Sequence, residues 1–307
     1  MTRRPQWPSA VTLVEVGPRD GLQNESALVP TLEKVRFIDR LSEAGHRRIE
    51  VGAFVRPDRV PGMADTAAVF AALTRRPGTR YSALVPNLKG LERARDAGAD
   101  EVSVFTATSD TFCRRNINMS VEDSLATYRD VCREAALLHL PVRAYLSTAF
   151  GCPFEGPIEP ARTAELTARL EDFGVFEVAV SDTIGIAHPG QVFTVLEVLG
   201  ARTPLATIAL HFHDTRGAAL ANVMAGLEAG VTVFDASAGG LGGCPYAPGA
   251  TGNLATEDVL FLLSGLGVET GVSLDGVIAA SVGIEASVGH PLVSRVYRAS
   301  RSTRAVS

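Results

Sequence analysis

The sequence predicts an α/β fold built as a closed, eight-stranded β/α barrel, and three observations predict it. Short apolar runs alternate with longer amphipathic segments eight times along the chain, a pattern that calls for a parallel sheet with helices on its outer face. The chain has 307 residues, enough for one barrel of about 250 residues with some length to spare. Several helical segments end in a small-residue turn, Glu43-Ala-Gly45, Asp96-Ala-Gly98, Asp172-Phe-Gly174 and Glu228-Ala-Gly230. Glycine in that position accepts the left-handed conformation that stops a helix, so these turns mark the bottom of a barrel. Together they define a (β/α)8 TIM barrel with a C-terminal helical extension. It forms a single domain over residues 1–307, with the barrel at about 11–270 and the tail at about 271–307.

Taken in order, the strand candidates are Thr12–Val16, Arg48–Val51, Tyr81–Val85, Glu101–Phe105, Val142–Ser147, Glu177–Ser181, Ile208–Phe212 and Val231–Ala236. Each is four to six residues long. The helix candidates between them are Leu32–Ala44, Ala64–Leu73, Leu88–Ala97, Val121–Leu138, Ala161–Phe173, Gly190–Leu199, Gly217–Ala229 and Leu254–Leu266. The segment around Phe112-Cys113-Arg114-Arg115 reads as a loop, and the tail from Ser273 holds one more helical stretch before an Arg-rich end.

Bulk properties narrow the function. A net charge of −5 argues against nucleic acid as a partner. No apolar run reaches the ~18 residues of a membrane span, and the start MTRRPQWPSAVTL has no apolar core of a secretory signal. The four cysteines form no CxxC pair, which suits a reducing compartment. A cytoplasmic protein with no membrane partner is expected.

In such a barrel the active site lies at the carboxyl ends of the strands. The polar residues that fall there are Glu15, Arg19 and Asp20 after the first strand, Glu50 on the second, Asp182 and Thr183 on the sixth, and His211, His213 and Asp214 on the seventh. A Gly-rich loop carrying Cys244 and Asn253 follows the eighth. His211 and His213, two apart on a strand, project to one side. Alone they could equally be a hydrogen-bonded pair of barrel histidines, but Asp20 and Asn253 shift the balance. Two nitrogens and two hard oxygens suit Mg²⁺ or Mn²⁺, whereas a closed zinc site would use thiolates. Arg19 beside that cation is placed to stabilise a developing oxyanion, with an ion pair to Glu50 as a compatible reading. Cys244, among glycines that allow a loop to close, could give or take a proton; Cys152, in a second Gly-Cys-Pro turn, is the competing thiol, and Cys113 and Cys132 look ordinary.

The motifs VEVGPRDGLQNE, PNLKG, GCPFEG, SDTIG, HFHDT and GGLGGCPYAPGATGNLATED, in this order, resemble the hydroxymethylglutaryl-CoA lyase family from about Val11 to Gly271. The resemblance implies retro-Claisen cleavage of 3-hydroxy-3-methylglutaryl-CoA to acetyl-CoA and acetoacetate on a TIM barrel, with Mg²⁺ or Mn²⁺ and the CoA thioester as substrate. It implies Asp20, His211, His213 and Asn253 as metal ligands, and Arg19 as the group that stabilises the thioester enolate. It also implies Cys244 in proton transfer, Asp182 and Glu50 as further active-site acids, and a homodimer. Asp182 is then the first candidate base, with water on the metal as its rival. For the CoA phosphates, Lys89, Arg114 and Arg115 are the candidates.

The pattern also departs from the family. Gly52-Ala53 stands where members often have Thr-Ser, Arg216 where Tyr is usual, and Ser287-Val-Gly-His-Pro291 where some members carry basic residues. These departures touch the acyl group more than the chemistry. A longer 3-hydroxy-3-alkylglutaryl-CoA or related 3-hydroxy acyl-CoA, a Claisen-type synthase, and a non-catalytic binding protein are the competing readings.

Overall fold

The computed structural model describes residues 7–243 and 252–304. Eight parallel strands close in strict sequence order: β1 Thr12–Glu15, β2 Arg48–Ala53, β3 Arg80–Leu84, β4 Glu101–Ala107, β5 Val142–Ser147, β6 Glu177–Asp182, β7 Ile208–Phe212 and β8 Val233–Ala236, with β8 pairing back onto β1. The helices are α1 Thr31–Glu43, α2 Thr66–Ala72, α3 Leu88–Asp96, α4 Asp110–Ile117, α5 Val121–Leu137, α6 Pro160–Asp172, α7 Pro189–Gly200, α8 Ala219–Ala229, α9 Thr256–Leu266, α10 Leu274–Val288 and α11 Arg295–Arg304. Among the described residues no helix is long and apolar enough to cross a membrane.

The four small-residue turns do what their glycines imply: Gly45, Gly98, Gly174 and Gly230 all have positive φ. Two readings need correction. The segment around Cys113 is not a loop but the short helix α4, on which Cys113 is buried. Ser109 caps it, its hydroxyl accepting from the Phe112 amide at 3.1 Å, and a short capped helix of mixed polarity has too little periodicity to stand out. The tail holds two helices, α10 and α11, broken where Gly289 turns to φ 78° ahead of Pro291.

The large apolar core lies between strands and helices, but the lumen is different. Arg48 on β2 bonds both oxygens of Glu177 on β6, at 2.9 and 3.0 Å. These strands are diametrically opposite in the barrel, so the pair spans the interior. Arg48 also reaches Glu101 at 3.1 Å, and Arg143 on β5 joins Glu177 to Asp235 on β8. Packed against this ionic network is a small apolar group, Tyr145, Ala179 and Ala209 against Leu84, Phe105 and Val233. The lumen is a salt-bridged plug rather than the branched aliphatic filling usual for the fold.

Gly52 also has a packing reason. A bulge follows Glu50 on β2, and a β-carbon on Gly52 would stand 2.6 Å from the Thr66 hydroxyl oxygen. That hydroxyl bonds the Ala53 carbonyl at 3.1 Å and the Met63 carbonyl at 2.8 Å, so it has little freedom to yield. Gly52→Thr should therefore destabilise the chain by about 1–3 kcal/mol through overpacking, read as a lowered thermal midpoint. Adding Thr66→Ala should recover most of the loss, and an unchanged midpoint in Gly52→Thr would contradict the packing account.

Candidate active site

Chain direction alone brings the site together. After β1 the backbone makes a tight π-type turn over Gly17–Gly21, with the amides of Arg19, Asp20 and Gly21 all donating to the Val16 carbonyl. Such turns recur at functional sites because they swing side chains off the regular path. Here it presents Arg19 and Asp20 over the barrel mouth. Glycine is required at its start, since a β-carbon on Gly17 would meet Glu15 Oε1 at 2.6 Å. That buried carboxylate accepts the amides of Gly17 and Ala238 and the Thr256 hydroxyl, tying the β1 turn to the start and end of the β8–α9 connection. Burial pushes the Glu15 carboxyl up to about 8.

Arg19 is buried and fully oriented. Its Nε donates to Glu50 Oε2 at 2.5 Å and its Nη1 to Asp20 Oδ1 at 2.6 Å. The guanidinium carbon lies 4.9 Å from the centre of the Tyr145 ring. Burial opposes its charge, but Glu50 and Asp20 outweigh that and raise its pKa. Glu50 is itself saturated: Tyr145 Oη donates to Oε2 at 3.0 Å and the Ser103 hydroxyl donates to Oε1. Nη2 of Arg19 makes no hydrogen bond among the described residues and remains for a ligand.

Asp20, His211 and His213 place one donor atom each within 4.8 Å of one another. Asp20 Oδ2 is 3.9 Å from His211 Nε2 and 4.0 Å from His213 Nε2. Burial raises the Asp20 pKa, but Arg19 and then the two histidines outweigh it and bring it down. Burial, then the neighbouring His211, push His213 down to about 4, which keeps it a neutral nitrogen donor. Asn253 arrives through an antiparallel bridge with His213, its Nδ2 donating to Asp20 Oδ2 at 2.9 Å and to the Leu241 carbonyl at 3.1 Å.

These residues fit a divalent cation. Among the described residues Asn253 Oδ1 and His213 Nδ1 are buried without a hydrogen-bond partner, and an orphaned amide oxygen beside two imidazoles and a carboxylate is a ready cation donor.

Asp182 ends β6, buried, with Oδ1 accepting the Ile186 amide at 3.0 Å and Oδ2 the Ala187 amide at 2.9 Å. Burial raises its pKa while those amides hold it back. Arg216 is exposed and bonds the carbonyls of Ile184 and Gly185, so it braces the β6–α7 turn. Lys89 is exposed in the first turn of α3, and Arg114 and Arg115 are exposed on α4, in the sector of the rim that follows β3 and β4. Arg114 pairs with Asp110, and Arg115 lies 4.1 Å over the Phe154 ring. Cys152 is buried, its thiol donating to the Ser109 hydroxyl at 3.0 Å.

Cys244 lies outside the described residues, but the chain that leads to it does not. Gly242 abuts Asn253 and Asp20, a β-carbon there standing 2.6 Å from Asn253 Nδ2 and 3.3 Å from the Asp20 carbonyl oxygen. Asn24 donates to the Gly243 carbonyl at 2.9 Å. Sequence reasoning overlooked Asp235, Arg143, Tyr145 and Ser103. The available signal was parity: Arg143, Tyr145 and Asp235 sit at the inward positions of otherwise apolar strands.

A closed β/α barrel with an arginine, a carboxylate, two histidines and an amide converging at its carboxyl end defines a class, the barrel enzymes that work around a divalent cation. The model of the HMGL-like family matches residues 10–283. A hydroxymethylglutaryl-CoA lyase of Bacillus subtilis is 48% identical over 94% of this chain and 97% of its own. A 3-hydroxy-3-isohexenylglutaryl-CoA/hydroxymethylglutaryl-CoA lyase of Pseudomonas aeruginosa is 48% identical over 95% of this chain and 97% of its own. The crystal structure of a hydroxymethylglutaryl-CoA lyase from Pseudomonas aeruginosa superposes with a TM-score of 0.95 at 47% identity, covering 97% of this chain and 99% of that one. The chain belongs to the HMGL-like family, a family of lyases.

Proposed function

We propose that the protein cleaves 3-hydroxy-3-methylglutaryl-CoA to acetyl-CoA and acetoacetate, with Mg²⁺ or Mn²⁺ held by Asp20, His211, His213 and Asn253. The observation that carries this reading is the buried, doubly anchored guanidinium of Arg19 directly beside that donor cluster. A bound cation would supply Lewis acidity, lowering the pKa of the substrate's tertiary hydroxyl.

The residues supply the rest. Asp182 takes the hydroxyl proton: each oxygen keeps a second lone pair beyond its backbone amide, and burial raises its basicity. The oxygen's electrons then close the ketone of acetoacetate as the neighbouring carbon–carbon bond breaks. The bonding pair moves onto the thioester, and Nη2 of Arg19 meets the enolate oxygen. Glu50 and Tyr145 hold the guanidinium in that plane, so Glu50 acts by positioning Arg19. Cys244 delivers a proton to the enolate carbon, completing acetyl-CoA. Lys89, Arg114 and Arg115 are the groups proposed for the CoA phosphates. The described cysteines are free and buried, which supports a reducing, cytoplasmic setting, and the proposed assembly is a homodimer.

One observation favours a second acyl substrate: the Pseudomonas relative carries both activities in its name. After chelation, Mg²⁺ or Mn²⁺ should restore turnover of the methyl substrate, and a longer 3-alkyl analogue should react with a lower kcat/KM. Faster turnover of the longer analogue would reverse the assignment, and full activity in excess chelator would remove the cation from it.

A further inference from the structure

We infer that Asp235, clamped by Arg143, is the positioning residue that fixes the orientation and tautomer of His211. The inference rests on the proposed cation site and adds a group to it. His211 and Asp235 are Cα partners across the β7–β8 ladder, so their inward side chains are neighbours. His211 Nδ1 lies 3.1 Å from Asp235 Oδ2. An ionised carboxylate only accepts, so Nδ1 carries the hydrogen, and in the neutral ring Nε2 then keeps its lone pair. Nε2 is the atom that faces Asp20.

Asp235 cannot turn away. Arg143 grips both of its oxygens, Nη2 to Oδ1 at 2.6 Å and Nη1 to Oδ2 at 3.1 Å. Arg143 is in turn fixed by Glu177 at 2.6 Å and lies 4.9 Å over the Tyr145 ring, whose centre is 6.0 Å from that of the His211 imidazole in a T-shaped arrangement. The second histidine has no such support among the described residues, where Nδ1 of His213 is buried without a partner. The two imidazoles are therefore unequal: one is pre-oriented by a chain of charges through the lumen, and the other has no such carboxylate on its Nδ1 among the described residues.

Asparagine at position 235 makes a sharp test. Arg143 has only donors, so the single amide oxygen must face it. The amide NH₂ is then left toward His211 Nδ1, which has to accept, and the hydrogen moves to Nε2, where it blocks the lone pair meant for a cation. Removing such an outer partner typically weakens metal binding about 10–100-fold.

The experiment uses the full chain. Histidine ¹⁵N spectra are recorded before and after Mg²⁺ addition, with His211 assigned by its loss in His211→Gln; the chain has six histidines, so assignment is tractable. Mn²⁺ binding is titrated by electron paramagnetic resonance in wild type, Asp235→Asn and Asp20→Ala. The expected result is a locked Nδ1–H tautomer in the wild type, an Nε2–H tautomer in Asp235→Asn, and Mn²⁺ affinity at least about 10-fold lower in that variant. An Nε2–H tautomer in the wild type overturns the inference, and does so even if Asp235→Asn does not fold. Unchanged Mn²⁺ affinity in a folded Asp235→Asn also overturns it. A wild type that binds no Mn²⁺ removes the proposed cation site instead, which the tautomer measurement keeps separate.

Discussion

Arg19→Gln should leave a folded barrel that still binds Mn²⁺ but turns over about 10²–10³-fold more slowly, the loss expected when a preorganised oxyanion donor is removed. The loss should fall on kcat, because the guanidinium meets charge that appears only as the carbon–carbon bond breaks. Glutamine keeps a donor but neither the charge nor the two anchored bonds, at 2.5 and 2.6 Å, that set the guanidinium plane. The variant should also melt earlier. Glu50 loses its buried cationic partner, and breaking one side of a buried pair costs about 3–5 kcal/mol, softened here because Tyr145 and Ser103 still donate to that carboxylate. Steady-state kinetics beside a Mn²⁺ titration check this. A kcat within a factor of a few of wild type would remove Arg19 from the chemistry.

Asp20→Ala should behave differently, abolishing both Mn²⁺ binding and turnover. Its Oδ2 is the oxygen shared by the approach of His211 and His213 and by the Asn253 amide, so no neighbour can substitute. Losing the cation should remove several kcal/mol of charge stabilisation, a rate loss of roughly 10³-fold or more. Arg19 keeps Glu50, so the barrel should remain folded by circular dichroism. Wild-type Mn²⁺ affinity in this variant would show the ligand set to be wrong.

The barrel was visible in the sequence because its signals are local and repeated: apolar strand runs, amphipathic helices and the four glycines that adopt positive φ. Arg19, Asp20, His211 and His213 were legible as candidates because they fall at strand ends, and Asn253 because it lies in the Gly-rich loop after the eighth strand; chain direction brings these ends together. The lumen was not. Arg143 and Asp235 are single charged residues inside apolar strands; their parity marks them as inward-facing, but their partners are 34 and 92 residues away, so no local pattern announces what they pair with. The same limit hid the support of Arg19, since Tyr145 meets Glu50 across 95 residues of sequence. Helix α4 escaped for the opposite reason, being local but too short for its periodicity to register.

The most direct test of the central claim is product analysis with 3-hydroxy-3-methylglutaryl-CoA as the only substrate, after metal add-back to chelated protein. The expected result is acetyl-CoA and acetoacetate in equal amounts, both absent while chelator is in excess. Release of free CoA with intact hydroxymethylglutarate, or no reaction in a protein that has bound Mn²⁺, would contradict the assignment of carbon–carbon bond cleavage to this site.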